Sequence, residues 1–432
     1  MSDNVKNNSP PSYQTIPITT LLQRMWPSPS DSNVTAEEIA QVISYLFTNQ
    51  LSLVQAGALL TCLHFTGWEL RPDVLAKCAL SMRKAAVPVD LDSLSTVISR
   101  KITARNFMSH YKGGLCDIVG TGGDSHNTFN VSTTSSILAS ALLQIAKHGN
   151  RASTSKSGSA DILQSMQPVA PDLDNVSPKN ICQIYEKTNY AFLFASNFHP
   201  GMRYVAPIRK ELGWRTIFNI LGPLTNPVEQ LLEARVLGVA SREIGSLYAE
   251  ALKIQGVKKA LIVCGEENLD EISCAGKTYC WKLNDSSSIH PEESTDSFSS
   301  DNGDDLIKIE SFSLEPADFG LPSHPLVQVS PGKEPKENAN ILLKILQNQL
   351  AYDDPILHFV LMNTSALFVI SGICEDDTSN MGTLDDGVII TERGPGGGRW
   401  KEGVRRARWA IESGEALRQW SSFVDLTTSN NG

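Results

Sequence analysis

The residues best suited to chemistry lie in one stretch, CDIVGTGGDSHNTFNVSTTSSILASALLQIAKHGNR, from Cys116 to Arg151. A strand-like run ends in the glycine-rich turn Gly120–Asp124, and a helix start at Asn130 follows it. Glycines let the backbone approach a ligand closely, and a helix N-terminus directs N–H groups and a positive dipole end to the same place. Together these features predict an anion site, with phosphate as the favoured anion.

More small polar residues follow the turn. Residues 132–136 carry five hydroxyls in a row at the helix start, whereas capping requires one or two. The basic loop KHGNR, residues 147–151, and the polar run STSKSGS, residues 153–159, come next. Lys147 and Arg151 are expected to add positive charge across the gap. A glycine turn alone is often just a tight turn, and this one matches neither the P-loop nor the dinucleotide-binding pattern.

Two adjacent carboxylates, Asp270 and Glu271, follow the strand-like run ALIVCG. In parallel sheets ligands sit beyond the carboxyl ends of strands, so we expect this turn and the glycine turn to face one crevice. Mg²⁺ prefers oxygen ligands and completes its shell with water and substrate phosphates. On the dipeptide alone, a solvated acidic turn is the favoured interpretation, and only the position beside the glycine turn makes a metal site equally open.

Several basic residues are interleaved with apolar ones between Asn197 and Pro227. An arginine of the Arg203–Arg209 region is suited to binding a carboxylate, because a guanidinium grips that group through two parallel hydrogen bonds. The alternative is a basic helix on the surface.

Composition narrows the class of protein. The chain has 432 residues, 41% of them apolar, with no run long enough for a membrane span and no apolar signal core at its start. Its eight cysteines form no CxxC pair, which predicts reduced thiols and a cytoplasmic location. The formal net charge is −10, and residues 284–305 contribute seven acids and no Lys or Arg. That segment is predicted to be a disordered insertion, and its negative charge argues against a nucleic-acid partner.

The expected architecture is α/β, with a small all-helical N-terminal domain and a larger domain built on a mostly parallel central sheet. Residues 1–27 are predicted to be a disordered tail, and 28–110 a helical domain joined by helices from about 176–215. Residues 111–432 form the α/β domain. Helix starts are expected at Thr35, Ser52 and Pro72, because each fits a capping or first-turn pattern. The predicted strands are 115–120, 190–195, 234–240, 259–265 and 387–390, and an apolar helix is predicted over 137–145.

Taken in order, GTGGD, NVST, KHGNR, the HPGM…R…RTIFNILGPLTNP run and the Asp-Glu turn resemble anthranilate phosphoribosyltransferases of tryptophan biosynthesis. The resemblance extends from about Thr35 to Trp420, outside the acidic insertion. It implies the nucleoside phosphorylase-like fold and a homodimer formed through the helical domain, with no membrane partner. It also implies Mg²⁺-dependent transfer of phosphoribosyl from phosphoribosyl pyrophosphate (PRPP) to the amine of anthranilate, the second step from chorismate.

The resemblance also implies roles for individual residues. Asn150 and Arg209 orient anthranilate, and no residue is assigned as a general base. Ser132, Asp270 and Glu271 bind the metal. The residues that contact the substrates are Gly120, Gly123, Asp124, Thr128, Asn130, Val131, Ser132, Thr133, Lys147, His148, Gly149, Asn150, Arg151, Ser155, Ser159 and Arg209.

Two other functions compete with this one. A pyrimidine nucleoside phosphorylase shares the architecture, but it has no evident need for NVST or for Asp270-Glu271. A catalytically silent relative that binds nucleic acid requires a basic surface, whereas this chain is acidic and keeps the carboxylate pair.

Overall fold

The computed structural model describes residues 15–105, 110–152, 157–285, 307–332 and 334–429. Its helices are α1 (Thr19–Met25), α2 (Ala36–Phe47), α3 (Leu53–Phe65), α4 (Pro72–Lys84), α5 (Leu91–Arg105), α6 (Val131–Ala139), α7 (Ser159–Leu163), α8 (Ile181–Lys187), α9 (Ala195–Phe198), α10 (Met202–Leu212), α11 (Phe218–Leu221), α12 (Arg242–Ile254), α13 (Pro335–Leu346), α14 (Pro355–Ser371), α15 (Trp400–Glu412) and α16 (Glu415–Thr428). Its strands are β1 (Leu115–Gly120), β2 (Gln144–Gly149), β3 (Tyr190–Phe194), β4 (Leu232–Gly238), β5 (Ala260–Gly265), β6 (Thr278–Asp285) and β7 (Ile307–Leu314).

The chain divides into two compact units. The helical unit contains residues up to 86 together with 199–221, and the α/β unit contains 87–198 and 222 onward. This division differs from the predicted boundary at residue 110 and from the predicted joining segment 176–215. Helix α5 packs against α8, and α8 leads into β3, whose pairing with β2 holds this region in the α/β unit.

The predicted helix starts of the helical unit are confirmed. The Thr35 hydroxyl accepts a hydrogen bond from the Glu38 amide, and the Glu38 carboxylate accepts one from the Thr35 amide, which completes a capping box. The Ser52 side chain caps α3 by accepting from the Gln55 amide, and Pro72 occupies the first turn of α4. These caps satisfy N–H groups that a helix start otherwise leaves unpaired.

The prediction of a disordered tail through residue 27 is wrong for the part that the structure describes. Residues 19–25 form α1, whose Leu21 and Met25 side chains are buried. The Trp68 indole N–H donates to the Met25 carbonyl at 3.0 Å, so tertiary contacts hold this short helix. A seven-residue helix is marginal by itself, which explains why its sequence carries little signal. Residues 1–14 lie outside the described residues.

The α/β unit is built on a seven-stranded sheet in the order β3-β2-β1-β4-β5-β6-β7. The first five strands are mutually parallel, whereas β6 and β7 run antiparallel to their neighbours. The prediction of a mostly parallel central sheet is therefore confirmed. Strand β1 lies between β2 and β4, so the turn that follows it is flanked by the ends of those two strands.

Three predicted elements of this unit are wrong. The predicted helix 137–145 ends early, because α6 stops at Ala139 and β2 begins at Gln144. Consequently Lys147, His148 and Gly149 lie on a strand that pairs with β3, and not in a basic loop. The predicted strand 387–390 has no strand conformation, and the Ile390 amide donates to the Glu402 carboxylate instead. A short apolar run does not by itself distinguish strand, helix and loop.

The acidic insertion predicted for 284–305 lies outside the described residues, apart from Asn284 and Asp285 at the end of β6. The strands that flank it, β6 and β7, pair over their whole length. Among the helices of the described residues, none combines the length and apolar character needed to cross a membrane.

Candidate active site

The glycine turn and the acidic turn lie against each other, as the parallel sheet predicted. Gly120 ends β1 and pairs with Gly238 on β4. A Cβ atom at Gly120 would lie 2.2 Å from the Asp270 Oδ2 atom, and one at Gly238 would lie 1.5 Å from the Asp270 carbonyl oxygen. The Gly122 amide donates to Asp270 Oδ2 at 2.7 Å. The two strand-end glycines therefore make room for the acidic turn, which the sequence alone did not indicate.

Carboxyl groups gather at this junction. Burial, and then the charge of Asp270, raise the pKa of Asp124 to about 7, and a side-chain hydrogen bond with Asp270 adds to this effect. Burial also raises the pKa of Glu271 well above its usual range, and the charges of Asp270 and Asp124 add to this effect. Like charges held close together in a partly desolvated site favour proton uptake or a bound cation.

The chemistry of these groups fits Mg²⁺ better than it fits a metal ion whose ligands are all protein side chains. Within the described ranges, no three His, Cys, Asp or Glu side chains converge on a position that would hold a metal ion. Glu271 nevertheless keeps one buried carboxylate oxygen, Oε2, without a hydrogen-bond partner. Mg²⁺ commonly takes one or two carboxylates and completes its shell with water and phosphate oxygens. Asp270 and Glu271 supply such a pair.

The start of α6 presents fewer hydroxyls than the sequence predicted. Asn130 is the N-cap, and its side chain accepts from the Thr133 amide. The hydroxyls of Thr134, Ser135 and Ser136 donate to backbone carbonyls inside the fold, at Asn130, Val360 and Thr133 respectively. The Thr133 hydroxyl donates to Ser159 at 2.9 Å, which joins the starts of α6 and α7. Ser132 alone of the five is not fully buried.

Lys147 lies beneath the glycine turn and does not point across an open gap. Its side chain is buried on β2, and Nζ donates to the Ile118 carbonyl at 2.7 Å. Burial lowers the pKa of Lys147, while the Asp117, Glu271 and Asp270 carboxylates act in the opposite direction. The buried ammonium therefore places positive charge below the carboxyl cluster. His148, the next residue on β2, is also buried.

The segment after β2 carries the remaining predicted contacts of the α/β unit. Gly149 leaves space for the Phe192 ring, which would lie 2.7 Å from a Cβ atom there. Asn150 is exposed, and Arg151 is exposed with its guanidinium 3.2 Å from Asp161. Ser159 begins α7. Ser155 lies outside the described residues.

The structure also identifies supporting residues that sequence reasoning missed. Asn363 of α14 is buried and bonds both backbone groups of Ile272, directly after the acidic pair. Asn338 accepts from the Asn130 amide at 3.2 Å and so fixes the N-cap of α6. Neither asparagine belongs to a local pattern, because each acts on a segment far away in the chain.

Arg209 belongs to the helical unit, where it lies on α10. Its side chain is partly buried, and burial lowers the pKa of its guanidinium. The role assigned to Arg209 stays a prediction, as do the roles assigned to the other substrate and metal contacts.

Comparison with known proteins agrees with this geometry. Residues 112–417 match the model of the glycosyl transferase family, a/b domain, and residues 19–86 match its helical bundle domain. The anthranilate phosphoribosyltransferase of Schizosaccharomyces pombe is 38% identical over 392 residues, covering 90% of this chain and 92% of that protein. The chain belongs to the anthranilate phosphoribosyltransferase family. It is thus a glycosyltransferase, as the order of its motifs predicted.

Other members of the family support the same conclusion. The Saccharomyces cerevisiae enzyme is 34% identical, covering 87% of this chain and 86% of that protein. Its structure in complex with PRPP and Mg superposes with a TM-score of 0.73 at 30% identity, covering 95% of this chain and 97% of that one. The Thermus thermophilus enzyme superposes with a TM-score of 0.67 at 32% identity, covering 91% and 96%. These likenesses favour the transferase over the phosphorylase and over a nucleic-acid-binding relative.

Proposed function

We propose that this chain transfers the phosphoribosyl group of PRPP to the amine of anthranilate, releasing pyrophosphate, in the second step of tryptophan biosynthesis from chorismate. The observation that carries the proposal is the Asp270 carboxylate held against the glycine turn by the Gly122 amide. A phosphate-type loop and a metal-type carboxylate meet there, as transfer from a pyrophosphate ester requires. The S. cerevisiae relative, whose structure contains PRPP and Mg, supports it.

The metal site consists of Ser132, Asp270 and Glu271. The unpartnered Glu271 oxygen supports this assignment, because an unpaired buried acceptor carries a cost that a cation would remove. Mg²⁺, when bound there, would neutralise charge on the pyrophosphate as the bond to the sugar breaks. The raised pKa values of Asp124 and Glu271 point the same way, since they show that the cluster favours added positive charge.

The PRPP contacts are divided between three segments. The turn after β1 and the start of α6 face the pyrophosphate, and the segment after β2 faces the ribose and its 5′-phosphate. The residues involved are Gly120, Gly123, Asp124, Thr128, Asn130, Val131, Ser132, Thr133, Lys147, His148, Gly149, Arg151, Ser155 and Ser159. The buried Lys147 ammonium contributes charge from beneath the turn.

The chemistry follows from where charge develops. Cleavage of the C1–oxygen bond leaves positive charge on the sugar and negative charge on the leaving group. The N–H groups of the glycine turn and of the α6 start stabilise the leaving group. No side chain is assigned to remove the proton of anthranilate, since the aromatic amine becomes acidic only after attack and then loses its proton to water or pyrophosphate.

Asn150 and Arg209 orient anthranilate, with Arg209 binding the carboxylate. Replacement of Arg209 by Ala is expected to raise the KM for anthranilate on the order of 10- to 100-fold, because a charge-assisted pair is lost, while the KM for PRPP changes little. Steady-state kinetics with each substrate varied in turn measures this. Lys210→Ala, which removes a neighbouring cation on the same helix, is the matched control. A rise in the PRPP KM alone would show the assignment to be wrong.

Metal binding should depend on pH. Asp124 has a folded-state pKa of about 7, against roughly 4 in an unfolded chain. The folded state therefore binds this proton more tightly, so its contribution to stability is largest below about pH 4 and declines toward pH 7. Mg²⁺ must compete with the proton, and we expect the rise in Tm caused by Mg²⁺ to grow between about pH 6 and pH 8.

Thermal unfolding with and without MgCl₂ at several pH values measures this dependence. In Asp124→Asn, which cannot bind the proton, the increase in Tm caused by Mg²⁺ should vary much less with pH. The same Mg²⁺ effect at every pH in the unmodified protein would contradict the prediction.

We also propose a homodimer formed through the helical unit, and a cytoplasmic location. Apolar side chains of the helical unit are exposed, among them Val54 at 82% and Phe65 at 67%, and a second copy of the chain would cover them. All eight cysteines are free thiols, which suits a reducing compartment. Light scattering of the full chain tests the first proposal, and imaging of a tagged chain in cells tests the second.

The decisive test of the function is loss of anthranilate fluorescence on mixing the purified protein with PRPP and Mg²⁺. PRPP-dependent loss that EDTA abolishes would support the proposal. If the folded protein leaves the fluorescence unchanged, the transferase assignment fails.

A further inference from the structure

We propose that Asp161, a residue outside the predicted substrate contacts, is a positioning residue that holds together the two ends of the segment 152–158. The inference rests on the proposed function, because it deepens the account of how the segment after β2 receives PRPP and anthranilate. Asp161 lies on α7, and its carboxylate faces back toward the end of β2.

The two oxygens of Asp161 have different partners. Oδ2 accepts from the Ala152 amide at 2.9 Å and from the Gly158 amide at 3.0 Å. Oδ1 accepts from the Arg151 guanidinium at 3.2 Å. One carboxylate oxygen therefore joins the backbone amides of positions 152 and 158, and we call this close approach of the chain the neck. The other oxygen binds the Arg151 guanidinium at the same place.

The backbone at the neck is too close for a side chain at position 158. A Cβ atom at Gly158 would lie 2.3 Å from the Ala152 nitrogen and 2.8 Å from the Asn150 carbonyl oxygen. The Ala160 amide donates to that same Asn150 oxygen at 3.2 Å. The approach is thus tight and hydrogen-bonded on both sides of Gly158, and the Asp161 carboxylate is the side-chain acceptor that both neck amides share.

Two proposed substrate contacts lie on opposite sides of this neck. Asn150 precedes it, and its backbone oxygen is fixed by Ala160. Ser159 follows it and accepts from the Thr133 hydroxyl on α6, which belongs to the proposed pyrophosphate segment. The neck therefore sets the distance between a residue proposed to contact anthranilate and one proposed to contact the phosphoribosyl group. Without it, ligand binding would have to bring Asn150 and Ser159 into position, and affinity would fall.

The geometry predicts a distinctive order among three variants. Asp161→Asn keeps one oxygen for both amides and loses only the interaction with Arg151, so the KM for PRPP should stay within about threefold. Asp161→Glu keeps the charge but displaces the carboxylate by one methylene. Asp161→Ala removes both the charge and the acceptor oxygens. These two should raise the KM for PRPP on the order of tenfold or more, with a smaller change in kcat, because saturating PRPP restores the positions of Asn150 and Ser159.

Amide exchange gives a second measurement that does not need activity. Exchange at Ala152 and Gly158 should be fast in the Ala and Glu variants and near normal in the Asn variant. Asp318→Ala is the control, because Asp318 also accepts from a backbone amide, that of Glu315 at 2.7 Å, outside the proposed site. It should lower stability slightly and leave both KM values unchanged.

The outcomes separate cleanly. If Glu behaves as wild type and Asn behaves as Ala, charge and not position is the requirement, and the proposal is overturned. If exchange accelerates while the KM for PRPP stays unchanged in every variant, Asp161 is only a structural cap. A wild-type protein without transferase activity rejects the proposed function, whereas normal wild-type activity with unaltered variants rejects this inference alone.

Discussion

Replacing Asp270 by Asn together with Glu271 by Gln is expected to reduce the kcat/KM for PRPP on the order of 1,000-fold, while the protein remains folded. The two amides keep the shape of the acidic turn but lose the negative charge that would bind Mg²⁺. The Gly122 amide can still donate to the Asn oxygen at position 270, so the glycine turn keeps its support. The loss of anthranilate fluorescence in the presence of PRPP and Mg²⁺ measures the effect.

Stability should change in the opposite direction. Burial and mutual repulsion raise the pKa values of Asp124 and Glu271, so the cluster destabilises the folded state at neutral pH when no cation is bound. We therefore expect the double variant to have an equal or higher Tm in EDTA. Added Mg²⁺ should raise the Tm of the unmodified protein and have little effect on that of the variant.

The control for this experiment is Glu266→Gln, because Glu266 is an exposed carboxylate on the same turn. It should keep nearly full activity and a normal response to Mg²⁺. Full activity in the double variant, with EDTA still inhibiting, would place the metal elsewhere.

The second large effect is expected for Gly238→Ala, where one methyl group should abolish activity and lower the free energy of unfolding by more than about 3 kcal/mol. The added Cβ would lie 1.5 Å from the Asp270 carbonyl oxygen, which is backbone and does not rotate away. Either β4 or the acidic turn must move, and each movement displaces Asp270 from the Gly122 amide. Chemical denaturation and the fluorescence assay measure the two losses.

Gly276→Ala is the matched control, because Gly276 lies between β5 and β6, on the segment that carries Asp270, and a methyl group there would have no atom within 4 Å. It should change stability by less than about 1 kcal/mol and leave activity intact. A Gly238→Ala protein with normal stability would show that the turn adapts more easily than this packing implies.

Local sequence patterns were sufficient for much of the fold. Capping and buried-strand patterns are encoded in neighbouring residues, so these elements could be predicted. They include the caps at Thr35 and Ser52 and the strands β1, β3, β4 and β5. The order of the motifs was also sufficient for the family. Helix α1 and strands β2, β6 and β7 were missed. The conformations of α1 and β2 depend on partners far away in the chain, Trp68 and Tyr190 among them.

For the site, local sequence was enough to list the groups available: a glycine turn, a helix start, two adjacent carboxylates and a basic run. How those groups are used depends on the folded chain. Folding places Lys147 beneath the turn, directs three of the five hydroxyls to backbone carbonyls, and brings Asp270 into the space that Gly120 and Gly238 leave. A residue's type sets its capacity for charge and hydrogen bonding, whereas its burial and its partners are set by segments that meet only in the folded chain.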